Sequence, residues 1–221
     1  VLTEAGAGGP VVALSGPTHA EEVARDQPAS LVAASAVVAA AERVQQVFMG
    51  PALRVYSSDD LVGVELGGAL KNVIAIAAGV GDGLGLGENA RAALMTRGLA
   101  EMTRLGEALG AAALTFAGLS GMGDLIVTCS SSHSRNHQLG VALAEGQTLD
   151  DVQRGARMVA EGVRTARSVH DLAARAGVEM PICEAVYRVL FKQESPMVAL
   201  DKLMLRSAKP ERTRPSGAAE P

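Results

Sequence analysis

The chain has 221 residues, 48% apolar and 20% charged, which allows a large buried core and excludes a globally disordered polymer. Aromatic residues make up only 2%, with no Trp, so the core must be built from Ala, Val, Leu, Ile and Met. A net charge of −4 argues against a nucleic-acid partner, because phosphate backbones want a basic face. Cys129 and Cys183 are too few for a disulfide scaffold or a cysteine-rich metal site. They suit a reducing compartment, and a cytoplasmic location is expected.

The first sixty residues read as α/β. Residues 11–14 are a short apolar run closed by Ser15-Gly16-Pro17, the pattern of a buried strand ending in a turn. Thr18 stands where it could cap a short helix through Glu21, Glu22 and Ala24. A second apolar run covers 31–34, a helical stretch covers 37–49 and stops at Gly50-Pro51, and 53–56 alternates as a third strand. Strands separated by helices predict a parallel or mixed sheet. A sheet this small, starting close to Val1 with no initiating Met, reads as the end of an α/β domain whose beginning is absent.

From Asp59 onward the pattern is helical. Residues 67–78 are mostly small and apolar. Glycine at every second position from 79 to 87 predicts a loop. Ala92, Met95, Leu99, Met102, Leu105 and Leu109 mark one face of a helix over 88–109, with Gly110 as its stop. Further helices are predicted over 135–145, 149–155, 163–176 (closed by Gly177), 182–191 (opened by Pro181) and 196–205. The tail beyond Ser207, with Lys209, Arg212 and Arg214, is expected to be disordered and solvated. The predicted organisation is thus 1–58, an α/β remnant; 59–206, an all-α domain; and 207–221, a tail. The longest apolar run, 73–80, is far short of the ~20 residues of a membrane span, and no signal peptide is evident, so membrane insertion is not expected.

Few constellations could carry chemistry. Lys71 lies in LGGALKNVIAIAA, flanked one helical turn away by Gly67, Gly68, Ile74 and Ala75. A lysine on such a face can be a desolvated proton donor with glycines allowing close approach, or a side chain that reaches back to water over a tight helix pair. Gly121-Met122-Gly123-Asp124, followed by Ser134-Arg135-Asn136, precedes a helix that Ser134 can cap. Free N–H groups beside an arginine suit a phosphate, although an ordinary capped helix fits the same residues. Gly6-Ala7-Gly8-Gly9 fails as a dinucleotide fingerprint: it precedes the first strand, and position 11 is Val. His133 and His137 could share a metal, but no further ligand completes the set, and no metal site is expected. His19 and His170 are isolated.

Order and spacing over about residues 10–207 resemble bacterial NAD(P)-dependent glycerol-3-phosphate dehydrogenase. The stretches that carry the resemblance are SGPTHAEEVA at 15–24, VYSSDDLVGVELGGALKNVIAIAAGVGDGLGLGENARAALMTRGLAEMTRLGEALG at 55–110, GLSGMGDLIVTCSSSHSRNHQLG at 118–140, MVAEGVRTA at 158–166 and GVEMPICEAVYRVL at 177–190. It implies a Rossmann domain for NAD(P)H, of which only the carboxyl-terminal part is here, and a 6-phosphogluconate-dehydrogenase-like helical domain. The implied reaction is reversible reduction of dihydroxyacetone phosphate to sn-glycerol 3-phosphate for phospholipid synthesis. The family pattern makes Lys71 the catalytic lysine. It makes Gly16, Thr18, Asp124, Ser134, Arg135 and Asn136 substrate contacts, and Ala20, Arg135, Val159 and Glu161 cofactor contacts. A homodimer is compatible with it. The glycine fingerprint and a second substrate lysine are missing, so the chain alone is expected neither to bind NAD(P)H tightly nor to turn over. Two other readings remain: a related dehydrogenase of another small phosphorylated ketone, and a non-catalytic helical interaction module.

Overall fold

The apolar runs at the start of the chain become three short strands that cover one another's backbone groups. In the computed structural model these are β1 (Ala13–Ser15), β2 (Ala29–Ala34) and β3 (Leu53–Ser58), in the order β1-β2-β3. The sheet is mixed: β1 runs antiparallel to β2 with Leu14 opposite Ala33, and β2 runs parallel to β3 with Leu31 opposite Val55. The parallel pair needs a crossover, which α2 (Val38–Phe48) supplies. Leu31, Ala33 and Val55 form the small core beneath it. The structure describes residues 8–131, 134–155, 160–208, 210 and 211. Gly6, Ala7, His133, Val159, Lys209, Arg212 and Arg214 lie outside the described residues.

One expectation about this region needs correction. Thr18 does not cap α1 (Ala20–Val23); His19 is the residue before that helix, and no side chain caps it. The Thr18 hydroxyl turns back and donates to the Gly16 carbonyl at 3.1 Å, held by the turn rather than by the helix. Gly16 sits at φ +151°, and a Cβ there would lie 2.8 Å from Leu31 Cα, so only glycine lets the turn press against β2.

The helical remainder is built around α3 (Leu61–Gly83), which starts at the cap Asp60 and has Leu70, Val73, Ile74, Ala75 and Ile76 buried. Asp60 Oδ1 accepts from Gly63 N at 2.8 Å, and its Oδ2 accepts from Ala112 N and Thr115 Oγ1. Burial works against this carboxylate, but the three hydrogen bonds outweigh it and hold its pKa below the usual range. The predicted loop over 79–87 is overturned in its first half, because α3 continues through Gly83. The reason is tertiary. A Cβ at Gly79 would collide with the His137 carbonyl oxygen, and one at Gly140 would collide with that of Ile76. Glycines on both sides let α3 and α7 (Arg135–Ala144) pack backbone to backbone, and that packing overrides poor helix propensity.

Around α3 stand α4 (Glu88–Ala108), α5 (Ala113–Phe116), a π-helical turn (Leu119–Gly123), α6 (Asp124–Ser130), α8 (Leu149–Gly155), α9 (Glu161–Ala176), α10 (Pro181–Lys192) and α11 (Pro196–Met204). Gly110 at φ +88° and Gly177 at φ +66° end α4 and α9 in the left-handed conformation, and Pro181 opens α10, as the sequence predicts. The segment 113–130 was not foreseen as helical. By length and mean hydropathy (1.6) α3 could cross a membrane, more than its uninterrupted apolar run suggested, but 56% of that window is buried inside this fold. Among the described residues no group of three or more His, Cys, Asp or Glu could hold a metal. Cys129 and Cys183 are free and buried, and burial pushes the Cys129 thiol up to about 12, which leaves it unreactive.

Candidate active site

Lys71 lies midway along α3, with two glycines one turn before it. A Cβ on Gly67 would sit 2.5 Å from the Ser120 carbonyl oxygen, and one on Gly68 would sit 2.9 Å from Ser15 Oγ. The missing side chains let the π turn and the β1 end lie directly against α3, one turn before the lysine. Asp124, the first residue after that turn, places Oδ2 2.5 Å from Lys71 Nζ, with side-chain exposures of 4% and 19%. Burial pushes the Asp124 carboxyl above its ordinary value, opposed by Lys71, by Thr128 and by His19. Thr128 donates to the Asp124 carbonyl at 2.6 Å and lies 3.3 Å from its Oδ1. The ammonium is therefore held against a buried carboxylate while part of it still meets solvent.

Next to the pair runs a chain of amides. Asn72 Oδ1 accepts from Asn136 Nδ2 at 2.9 Å, and Asn136 Oδ1 accepts from Gly162 N at 2.9 Å. This fixes the start of α7 and the start of α9 against α3, beside Lys71. Ser134 caps α7 as predicted, its Oγ accepting from His137 N at 3.3 Å. Arg135 is exposed at the first position of α7, and Glu161 is exposed at the first position of α9.

The Gly16–Thr18 turn reaches the same place from the sheet. Its Ser15 is the side chain beside Gly68, and Pro17 lies 3.7 Å from where a Cβ of Gly123 would be. Ala20 opens α1 just beyond and is exposed. Ser15 Oγ and His19 Nε2 are buried, with no hydrogen-bond partner among the described residues. These contacts gather Lys71, Asp124 and, through Asn72, Asn136, and they bring the turn that holds Gly16 and Thr18 against Gly123; Ser134 and Arg135 adjoin Asn136 in the sequence. Val159 lies outside the described residues. Reading the sequence missed Thr128, which bonds Asp124, and Asn72, which gains significance only through a partner 64 residues along the chain. His137 belongs elsewhere: its Nε2 is 2.7 Å from Asp82 Oδ2, and Arg91 binds the other oxygen at 2.8 Å. The apolar cavity of about 460 Å³ between α3, α4, α10 and α11 contains none of the gathered residues.

Residues 60–201 match the family described as NAD-dependent glycerol-3-phosphate dehydrogenase C-terminus. The chain belongs to this family. It is 56% identical over 211 residues to the glycerol-3-phosphate dehydrogenase [NAD(P)+] of Desulfitobacterium hafniense, covering 96% of this chain and 60% of that protein. A second such enzyme, from Salinibacter ruber, is 58% identical over 204 residues, covering 92% of this chain and 59% of the relative. Among solved structures, the glycerol-3-phosphate dehydrogenase of Coxiella burnetii superposes with a TM-score of 0.86 at 42% identity, covering 89% of this chain and 61% of that one. The chain thus spans about 60% of the length of these relatives.

Proposed function

We propose that this chain is the substrate half of an NAD(P)-dependent glycerol-3-phosphate dehydrogenase. It would interconvert dihydroxyacetone phosphate and sn-glycerol 3-phosphate for phospholipid synthesis in the cytoplasm. In this reading residues 1–58 close a Rossmann domain, 59–206 form the helical substrate domain and 207–221 are a tail. The observation that carries it is the Lys71–Asp124 pair set beside the start of α7 with Arg135.

The chemistry follows from that placement. The phosphate of the substrate lies at the start of α7, where free N–H groups and the Arg135 guanidinium favour an anion. Gly16 and Thr18 border the triose from the sheet side, and Asn136, braced by Asn72 and Gly162, orients it. The ketone oxygen faces Lys71. Its ammonium stabilises the negative charge growing on that oxygen, then gives it a proton. Asp124 aims Nζ, and the lysine, whose side chain is 19% exposed, takes its proton back from water. In the reverse direction Lys71 accepts the hydroxyl proton.

The residues present fit only one end of a nicotinamide dinucleotide. Ala20, Arg135 and Glu161 are exposed at the starts of α1, α7 and α9 and would hold it, with Val159 two residues before Glu161 in the sequence. Gly8 and Gly9 precede β1 and have open space around them, which offers no cradle for phosphates. When bound, the cofactor supplies the hydride that adds to the carbonyl carbon. The chain alone neither binds NADPH at micromolar concentration nor turns over, which a fluorescence titration tests.

The activity test uses the completed enzyme, this chain preceded by the amino-terminal part of the Desulfitobacterium relative. It should oxidise NAD(P)H with dihydroxyacetone phosphate. Arg135→Gln should raise KM roughly 10- to 100-fold for that substrate and leave unphosphorylated dihydroxyacetone unaffected. Equal effects on both substrates would remove the phosphate from Arg135.

A further inference from the structure

The apolar cavity between α3, α4, α10 and α11 contains neither Lys71 nor Asp124, and nothing in the proposed reaction fills it. Its 460 Å³ lie within the range of sites that take small organic ligands. Ala77 and Val80 on α3, Leu94 on α4, Val186 on α10 and Leu200 and Leu203 on α11 give it apolar walls. It is long and thin. Along α4 its lining runs from Ala90 to Arg104, about 21 Å at the rise of an α-helix. Spread over that length, the volume gives a mean cross-section of about 22 Å², against about 80 Å² for an α-helix ~10 Å across. A helix from another protein is too thick for this trough, whereas a single unbranched hydrocarbon chain is thin enough.

The charged groups in the walls point to the other end of the ligand. Four arginines and two acidic residues line the trough, so the balance favours an anion. Most of these groups already have partners. Arg91 pairs with Asp82 and Glu88, and Asp82 also holds His137. Glu101 is turned into the start of α10, where it accepts from Ile182 N and Cys183 N. Arg104 donates to the Glu179 carbonyl, and Arg206 pairs with the Glu179 carboxylate. Arg97 differs. It is half-buried on the same face of α4, midway along the trough, and makes no hydrogen bond or ion pair with any described residue. A guanidinium presents a planar fork that a carboxylate fills with two hydrogen bonds.

We propose that this trough is a binding site for a linear fatty carboxylate, with the carboxylate on Arg97 and the tail along the apolar walls. The test is calorimetric titration of the completed enzyme with laurate, below the concentration at which laurate forms micelles. One laurate should bind per chain with micromolar affinity. Each methylene buried strengthens binding roughly fourfold, so octanoate should bind at least ~100-fold more weakly. Dodecyltrimethylammonium, with the same tail and the opposite charge, should bind at least ~10-fold more weakly than laurate. Arg97→Gln should weaken laurate roughly 10- to 100-fold, leave dodecanol binding unchanged and leave kcat/KM for dihydroxyacetone phosphate unchanged. No binding of laurate at millimolar concentration, equal affinity for the two charged amphiphiles, or an Arg97→Gln protein that binds laurate like the wild type would each overturn the proposal. So would a dimer that Leu203→Glu splits in sedimentation while the wild type binds no laurate, because a second copy would then cover the trough.

Discussion

Replacing Gly140 with Ala adds one methyl group at the crossing of α7 and α3. On an exposed helix this change would gain about 1 kcal/mol, since Gly is a poor helix former. Here the new Cβ would overlap the Ile76 carbonyl oxygen and lie 2.7 Å from Val80 N and 2.9 Å from Gly79 C. All three are backbone atoms inside a helix, so no rotamer change relieves the contact. The helices must part by about 1 Å, a gap at which buried groups lose a quarter to a half of their dispersion energy. Leu139 and Leu143 on α7, with Val73 and Ile76 on α3, would lose packing in this way. Setting an overpacking and separation cost of roughly 3–5 kcal/mol against the propensity gain leaves a net loss of about 2–4 kcal/mol. For a chain of this size that lowers the melting point by roughly 5–15 °C. The control is Gly81→Ala on the same helix, where the Cβ would meet only Leu86 Cδ1 at 3.8 Å, an ordinary contact. It should stabilise by up to about 1 kcal/mol. Thermal and urea melts followed by circular dichroism read both. A Gly140→Ala protein that melts at or above the wild type would refute the close-packing argument.

Two further perturbations probe the frame around the site. Asp60→Ala removes the α3 cap together with the links to Ala112 N and Thr115 Oγ1, and should cost about 2–4 kcal/mol in urea unfolding; a loss under ~0.5 kcal/mol would mean that α3 needs no such anchor. Glu101 is buried beneath the start of α10, accepting from Ile182 N at 2.8 Å and Cys183 N at 3.2 Å, and burial raises its pKa above 4.5 in spite of those bonds. A carboxyl raised on folding contributes stability that is complete below the unfolded value and is lost as pH rises through the folded one. The stability of wild type minus that of Glu101→Gln should therefore fall from pH ~4.5 upward. A flat or rising difference in melts across that range would contradict the assignment.

Much of the frame was legible because single residues announce it. Gly110 and Gly177 end helices by adopting positive φ, and Pro181 starts one, and these are local effects that need no knowledge of the fold. The second half of α3 was illegible for the opposite reason. Gly79 and Gly83 read as a loop until α7 is laid against them, so packing, not propensity, decides their conformation. The same division runs through the site. Lys71, Asp124, Ser134 and Asn136 stand in motifs that a resemblance can carry. Asn72 matters because of an amide 64 residues away, which no periodicity or spacing signals.

The central claim is that Lys71 moves the proton while the rest of the site binds and orients. Its most direct test is Lys71→Ala in the completed enzyme, assayed for reduction of dihydroxyacetone phosphate and, separately, for NADPH affinity. The variant should lose roughly 10²- to 10⁴-fold in kcat with NADPH affinity nearly unchanged. Activity surviving within about tenfold of the wild type would contradict it.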